Sequence, residues 1–72
     1  MTTGSVYSVV ELIGSSSESW EQAARNAVRE AAGLYEDLRV AEVVEMDVLI
    51  EDGDIIAFRT KLRLSYKRNR QD

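Results

Sequence analysis

The chain has 72 residues, no cysteine, no histidine and a net charge of −4. A domain of this size buries little of its own surface and usually depends on disulfides, a metal or oligomerisation. The lack of cysteine excludes disulfides, and the lack of both residue types argues strongly against zinc. We therefore expect one domain over residues 1–72 that gains its stability by oligomerisation.

The acidic balance argues against a nucleic-acid partner, because such binders normally carry a basic excess. The basic stretch of residues 67–70 is short and terminal, so we interpret it as a solvated end and not a binding arm. No apolar run reaches the ~20 residues that a membrane span needs, and residues 1–5 lack the pattern of a signal peptide. We expect a cytoplasmic protein with flexible ends at residues 1–5 and 68–72.

The first half of the chain predicts a strand and then a helix. Residues 6–13 are rich in β-branched side chains and stop at Gly14, a pattern typical of a strand that ends at a turn. Three serines, residues 15–17, then predict a polar loop. Ser19 and Gln22 fit a capping box. Apolar residues recur from Trp20 to about Tyr35 at the three-and-four spacing of a helix.

The second half predicts two long strands joined by a tight turn. Residues 38–50 contain neither glycine nor proline and place valines on both faces of the predicted strand. Asp52 and Gly53 between two apolar runs are a strong hairpin signal. Residues 55–67 alternate apolar and polar side chains, as a half-buried strand does.

This order of elements indicates an α+β fold of the β-α-β-β type. A helical crossover leaves the first two strands parallel with a gap between them, and the third strand fills the gap antiparallel to both, in the order 1-3-2. One helix covers only one face of this sheet. Because the second strand is apolar on both faces, we expect it to be buried on both, with the second cover supplied by other subunits.

Five short stretches are informative together: residues 9–16, 19–23, 38–39, 42–45 and 50–53. In their order and spacing they resemble the dodecin family, and the resemblance extends from about Val6 to Tyr66. It implies a β-α-β-β protomer whose three-stranded antiparallel sheet wraps partly around one helix, assembled into a hollow homododecamer. It also implies a non-enzymatic protein that stores or buffers a flavin (riboflavin or FMN) bound at subunit contacts.

Two positions depart from the flavin-binding pattern that the resemblance implies. In flavin-binding dodecins, a Trp after the Leu-Arg pair stacks on the flavin ring and a Gln on the third strand bonds its polar edge; here these positions are Val40 and Arg59. Valine has no flat face, and stacking of this kind is worth about 1–3 kcal/mol. Arginine donates hydrogen bonds but cannot accept them. Arg59 therefore predicts either a rebuilt site for an anionic ligand or, as we favour, an ion pair at a subunit interface with an acidic residue such as Glu42.

An ion is the other ligand class to consider, because the resemblance extends to dodecin-like proteins that lack the stacking Trp and are associated with calcium. Glu11, Glu42 and Glu45 are candidate metal ligands, since a ring of like charges at a symmetry axis needs a cation or a proton. The turn residues 51, 52 and 54 also supply oxygen ligands, but they lack an EF-hand loop, and we expect an ordinary solvated turn. We expect Trp20, the one Trp in the chain, to be a core residue beside the helix cap.

Catalysis has little support in the sequence, because the serines at 15–17 have no histidine to activate them and there is no cysteine nucleophile. We therefore predict a non-enzymatic, homododecameric binding or storage protein with an altered flavin site for a small molecule or an ion. Two alternatives stay open: a working flavin-binding and buffering protein, and a calcium-binding or purely structural shell.

Overall fold

The computed structural model describes residues 5–67. Its elements in chain order are β1 (Tyr7–Ser16), α1 (Trp20–Ala32), β2 (Leu38–Glu51) and β3 (Asp54–Lys67). β3 lies between β1 and β2 and is antiparallel to both. The predicted α+β fold and strand order are confirmed. The expected flexible ends, apart from Ser5, lie outside the described residues. Across the described range, no helix is long and apolar enough to span a membrane.

β1 continues through Gly14, so the predicted end of the strand and the loop at Ser15 and Ser16 were wrong. Gly14 is buried and pairs with Thr60 in the ladder. A Cβ at this position would overlap the carbonyl oxygen of Ala23 and lie 2.9 Å from its carbonyl carbon. The glycine therefore permits the close approach of α1 to β1 and does not form a turn.

Ser19 caps α1 as predicted, since its Oγ accepts a hydrogen bond of 2.9 Å from the amide of Gln22. The Gln22 side chain does not return to Ser19; it donates to Asn26 Oδ1 at 3.0 Å, so half of the predicted capping box is formed. The helix ends at Ala32, three residues before the predicted Tyr35. The Tyr35 ring instead packs on Tyr66, with 4.7 Å between ring centroids.

The core is thin and lies between α1 and the two strands beneath it. Alanines 23, 27 and 31 form the buried stripe of the helix, and Leu62 and Leu64 of β3 pack against it. Buried Thr60 donates its hydroxyl to the carbonyl oxygen of Trp20 at 2.9 Å. Small side chains let the helix lie close to the sheet, but they also limit the apolar area that one chain can bury.

β2 has no fully buried residue, because α1 lies over β1 and β3. Large apolar side chains along it are exposed on both faces of the sheet, among them Val40, Val43, Met46 and Leu49. A long apolar edge strand without cover is a template for association with other chains. This supports the expectation that other subunits cover β2.

The β2–β3 turn consists of Asp52 and Gly53, both with positive φ, at 51° and 81°. This is the geometry that an Asp-Gly hairpin turn adopts, and it confirms the predicted turn. The hairpin extends beyond the helix: the 14 residues of β3 span roughly 46 Å at 3.3 Å per residue, whereas a helix of 13 residues is about 20 Å long at 1.5 Å per residue.

Candidate ligand-binding surface

The face of the sheet opposite α1, here called the outer face, carries a row of alternating charges. β3 contributes every second residue from Arg59 to Ser65, because the intervening side chains point to the helix. The cross-strand partners on β1 and β2 supply the acids. The side chains on the outer face include those of Glu11, Val40, Glu42, Glu45, Asp47, Arg59, Lys61, Arg63 and Ser65.

Arg59 forms an ion pair with the residue opposite it on β2, Asp47. Its Nε and Nη2 donate to the two carboxylate oxygens at 2.8 and 2.7 Å. The hydrogen bond from Arg59 lowers the pKa of Asp47, and Asp47 in turn raises the pKa of Arg59. Arg59 is therefore ion-paired as expected, but the pair forms within one chain and not across a subunit interface, and the partner named from the sequence, Glu42, was wrong. Glu42 lies opposite Arg63.

Arg63 is held between acids on both neighbouring strands. Its Nη2 donates to Glu11 Oε2 at 3.0 Å and its Nη1 to Glu42 Oε1 at 3.5 Å. Lys61 Nζ lies 3.7 Å from the other oxygen of Glu11. The pKa of Glu11 is lowered, first by the hydrogen bond from Arg63 and then by the charge of Lys61. Basic side chains therefore already contact the carboxylates of Glu11 and Glu42 within one chain.

Glu45 differs from the other two candidate metal ligands. It makes no ion pair with any described residue, although its charge contributes to the raised pKa of Arg59. Within residues 5–67, no three acidic side chains come together in a group that could hold a metal. A single described chain therefore does not assemble a cation site from Glu11, Glu42 and Glu45.

Val40 and Arg59 lie on the same face but far apart in one chain. Val40 is opposite Ser65, and Arg59 is opposite Asp47. Ser65 and Arg59 are six residues apart on β3, which corresponds to roughly 20 Å at 3.3 Å per residue. The two positions can contact one ligand only if different copies of the chain supply them.

A shallow apolar cleft lies at the start of β2, next to α1, and is here called the base cleft. Its volume is about 160 Å³, and its lining residues are Val28, Leu38, Arg39, Val40, Ala41 and Leu64. Arg39 contributes a charge; its Nη2 lies 3.7 Å from a carboxylate oxygen of Asp37. The sequence analysis did not identify this cleft, because only the packing of α1 brings Val28 to the start of β2.

Trp20 has a structural role that spans two elements. Its Nε1 donates to the backbone oxygen of Asp47 at 2.9 Å, and its ring meets Phe58 edge to face at 5.1 Å between centroids. This arrangement holds the helix start against the hairpin at Asp47, the residue that the strand register places opposite Arg59. The ring is partly exposed, so the expectation of a core residue is met only in part. Asp47, which the sequence analysis missed, is detectable only through the strand register.

We expect the substitution Glu11→Gln to lower the urea denaturation midpoint at neutral pH and to have little effect in strong acid. Because basic partners lower the Glu11 pKa in the folded chain, their stabilisation is complete above its ordinary value of 4.5 and is lost as the pH falls through the lowered value. Urea is the suitable denaturant, since guanidinium salt would screen the ion pair.

Glu30→Gln is the matched control, because Glu30 is exposed on α1 and makes no ion pair with the described residues. An equal loss of stability for Glu11→Gln at both pH values would contradict the ion-pair explanation.

The sequence and the fold of this chain both match those of a known protein family. The dodecin family model matches residues 6–69. The chain is 46% identical over 63 residues to calcium dodecin of Mycobacterium tuberculosis, covering 88% of this chain and 89% of that protein. A crystal structure of the calcium dodecin of that organism, described as a calcium-chelating antigen with a novel calcium-binding site, superposes with a TM-score of 0.81 at 43% identity, covering 94% and 97% of the two chains.

Dodecin structures from Streptomyces are also similar. The Streptomyces coelicolor dodecin superposes with a TM-score of 0.90 at 30% identity, covering 97% of this chain and all of that one. The Streptomyces davaonensis dodecin gives 0.89 at 26% identity, covering 94% of this chain and all of the other. The chain therefore belongs to the dodecin family, whose members are homo-oligomeric, non-enzymatic proteins that bind small ligands.

Proposed function

We propose that the chain forms a homododecameric shell that binds Ca²⁺ and has lost the flavin site. The observation that carries this proposal is the state of the two flavin positions. Val40 supplies no ring for stacking, and Arg59 is engaged by both oxygens of Asp47. Identity of 46% to a protein named calcium dodecin supports calcium as the ligand.

The described residues fit a calcium site only if several copies contribute to it. Ca²⁺ takes six to eight oxygen ligands, and no group of three acids forms within residues 5–67. Glu45 is the candidate that carries no basic partner among the described residues, and it lies on β2, the strand that one chain leaves uncovered. Equivalent carboxylates from neighbouring copies would repel one another, and a bound cation relieves this repulsion.

Calorimetric titration of the metal-free assembly with calcium chloride tests this proposal. We expect saturable heat from the unaltered protein and affinity at least roughly tenfold weaker for Glu45→Gln, because the charge of the ligand set tunes Ca²⁺ affinity. Glu30→Gln is the matched control, since Glu30 is exposed on α1 and makes no ion pair with the described residues. An unaltered protein that gives no calcium heat would overturn the proposal, and full affinity in Glu45→Gln would exclude that ligand.

If the flavin site has been lost through Val40 and Arg59, substitutions at these two positions should restore flavin binding. We expect the unaltered assembly to quench riboflavin fluorescence weakly, and the double variant Val40→Trp with Arg59→Gln to bind riboflavin roughly tenfold to a hundredfold more tightly. Stacking on an aromatic ring contributes about 1–3 kcal/mol, and each tenfold in affinity corresponds to about 1.4 kcal/mol.

Val40→Leu is the control for this experiment, because leucine adds apolar volume without a flat face. Submicromolar quenching by the unaltered protein would instead favour the working flavin-buffering function.

A further inference from the structure

We infer that the β2–β3 hairpin end of one copy docks into the base cleft of a second copy. The hairpin end comprises Ile50, Glu51, Asp54, Ile55 and Ile56, and it lies at the opposite end of the sheet from the base cleft. This inference rests on the oligomeric part of the proposed function and is independent of the ligand.

The hairpin end carries apolar side chains that nothing in one chain covers. Ile50 is 66% exposed and Ile55 is 56% exposed. The hairpin extends past α1, so the helix cannot reach these residues. Clustered exposed isoleucines at a protruding end are typical of an interaction surface.

The base cleft is a suitable acceptor in size and character. It is mostly apolar and has a volume of about 160 Å³, and an apolar cavity of about 150 Å³ is known to hold a benzene molecule. An isoleucine side chain is of comparable size. The occupant cannot come from the same chain, because Ala41 in the cleft and Ile50 are nine residues apart on one strand, roughly 30 Å.

The charges of the two ends are complementary. Glu51 and Asp54 lie directly opposite each other across the hairpin, and like charges in this arrangement are destabilising. Neither acid forms an ion pair with the described residues. Arg39 lines the cleft with a half-exposed side chain and only a loose contact to Asp37. A docked hairpin would bring Glu51 and Asp54 to this cation.

Charge reversal tests the docking without touching the core. In EDTA, Arg39→Glu and Glu51→Arg are each expected to raise the concentration at which the assembly half dissociates by at least about tenfold, because each variant brings like charges together at the interface. The measurement is light scattering over a dilution series, in a fixed low denaturant concentration that half dissociates the unaltered protein. The double variant should return to within about threefold of the unaltered value.

Two results distinguish docking between copies from an effect of the substitutions on the hairpin of a single chain. Glu51→Arg replaces a like-charged pair with an opposite pair inside the hairpin, so a structural role predicts a stronger and not a weaker assembly. Arg25→Glu, on the exposed face of α1, is the control and should leave the dissociation concentration unchanged. If the acids of the hairpin serve calcium instead, Glu51→Arg abolishes the calcium heat and leaves the metal-free assembly unchanged. That outcome overturns the docking.

Cysteine cross-linking gives a direct second measurement, because the chain has no cysteine of its own. Oxidising the double variant Ala41→Cys with Ile50→Cys should yield linked copies on a denaturing gel, since a disulfide needs Cα atoms within about 7 Å. Arg25→Cys with Ile50→Cys should yield none. Single-chain bands from the first variant, with the assembly intact by light scattering, would refute the docking and leave the proposed calcium function standing.

Discussion

Gly14→Ala is expected to lower the free energy of unfolding by about 3 kcal/mol or more, although it adds one methyl group. Overpacking of a core usually costs about 1–3 kcal/mol, and the larger values arise where the neighbours cannot move. Here the neighbours are the backbone carbonyl of Ala23 and, at 3.1 Å, the Cβ of Ala27. Both belong to the first turns of α1, so relief requires the helix to move away from the sheet.

Gly33→Ala is the matched control for this prediction. Its φ of −81° suits alanine, and the nearest atom to an added Cβ is Glu30 O at 3.5 Å, an ordinary contact. We expect a change within about 0.5 kcal/mol of zero at this position. Denaturation midpoints should be compared at one protein concentration, because the stability of an oligomer depends on it. Equal effects at the two glycines would contradict the close helix approach.

Val43→Asp is expected to prevent assembly. Val43 is opposite buried Leu62 but is itself 53% exposed, because α1 does not extend over β2. If neighbouring copies cover β2, the new carboxylate is buried without a partner in every copy, at an effective cost of several kcal/mol per ion. The mass from light scattering at micromolar concentration should then fall to that of one or two chains.

Val43→Thr separates charge from shape, since threonine keeps the β-branched form and adds only a hydroxyl group. We expect this variant to assemble, with a modestly lower denaturation midpoint. An intact oligomer of Val43→Asp would show that β2 stays in contact with water in the assembly, and it would remove the main physical reason for oligomerisation.

The fold was largely predictable because its signals are local or follow from chain connectivity. The alternation along residues 55–67 predicted a half-buried strand, which β3 is, with Leu62 and Leu64 buried, and the Asp52-Gly53 turn defined the hairpin. The helical crossover, which leaves a gap between the two parallel strands, then predicted the strand order that the structure shows. Family membership confirms the prediction of a homo-oligomeric, non-enzymatic protein, whereas the dodecamer itself stays a proposal.

The errors have a tertiary cause. A glycine followed by serines has the local pattern of a turn, and only the approach of α1 shows that Gly14 belongs inside a strand. Glu42 was named as the partner of Arg59 without a strand register; it lies opposite Arg63, and the register shift between Leu49 and Ile50 brings Asp47 opposite Arg59. Irregularities of this kind cannot be derived from alternation alone.

The candidate site was less predictable than the fold, because its completion depends on other copies. Val40 and Arg59 were identified as ligand positions from a resemblance, and they remain predictions, since they lie far apart in one chain. The same holds for Glu11, Glu42 and Glu45 as metal ligands, although the ion pairs with Arg63 favour Glu45 among them.

The alternation of β3 divides its residues into those that pack against the helix and those that face away from it. Residues 60, 62 and 64 are buried against the helix, whereas residues 59, 61 and 63 face outward and contact acidic side chains of the neighbouring strands. Selection can therefore change an outward residue without repacking the core. Substitutions at outward positions of the sheet, such as Val40 and Arg59, can therefore alter the chemistry of that face while the packing beneath α1 stays the same.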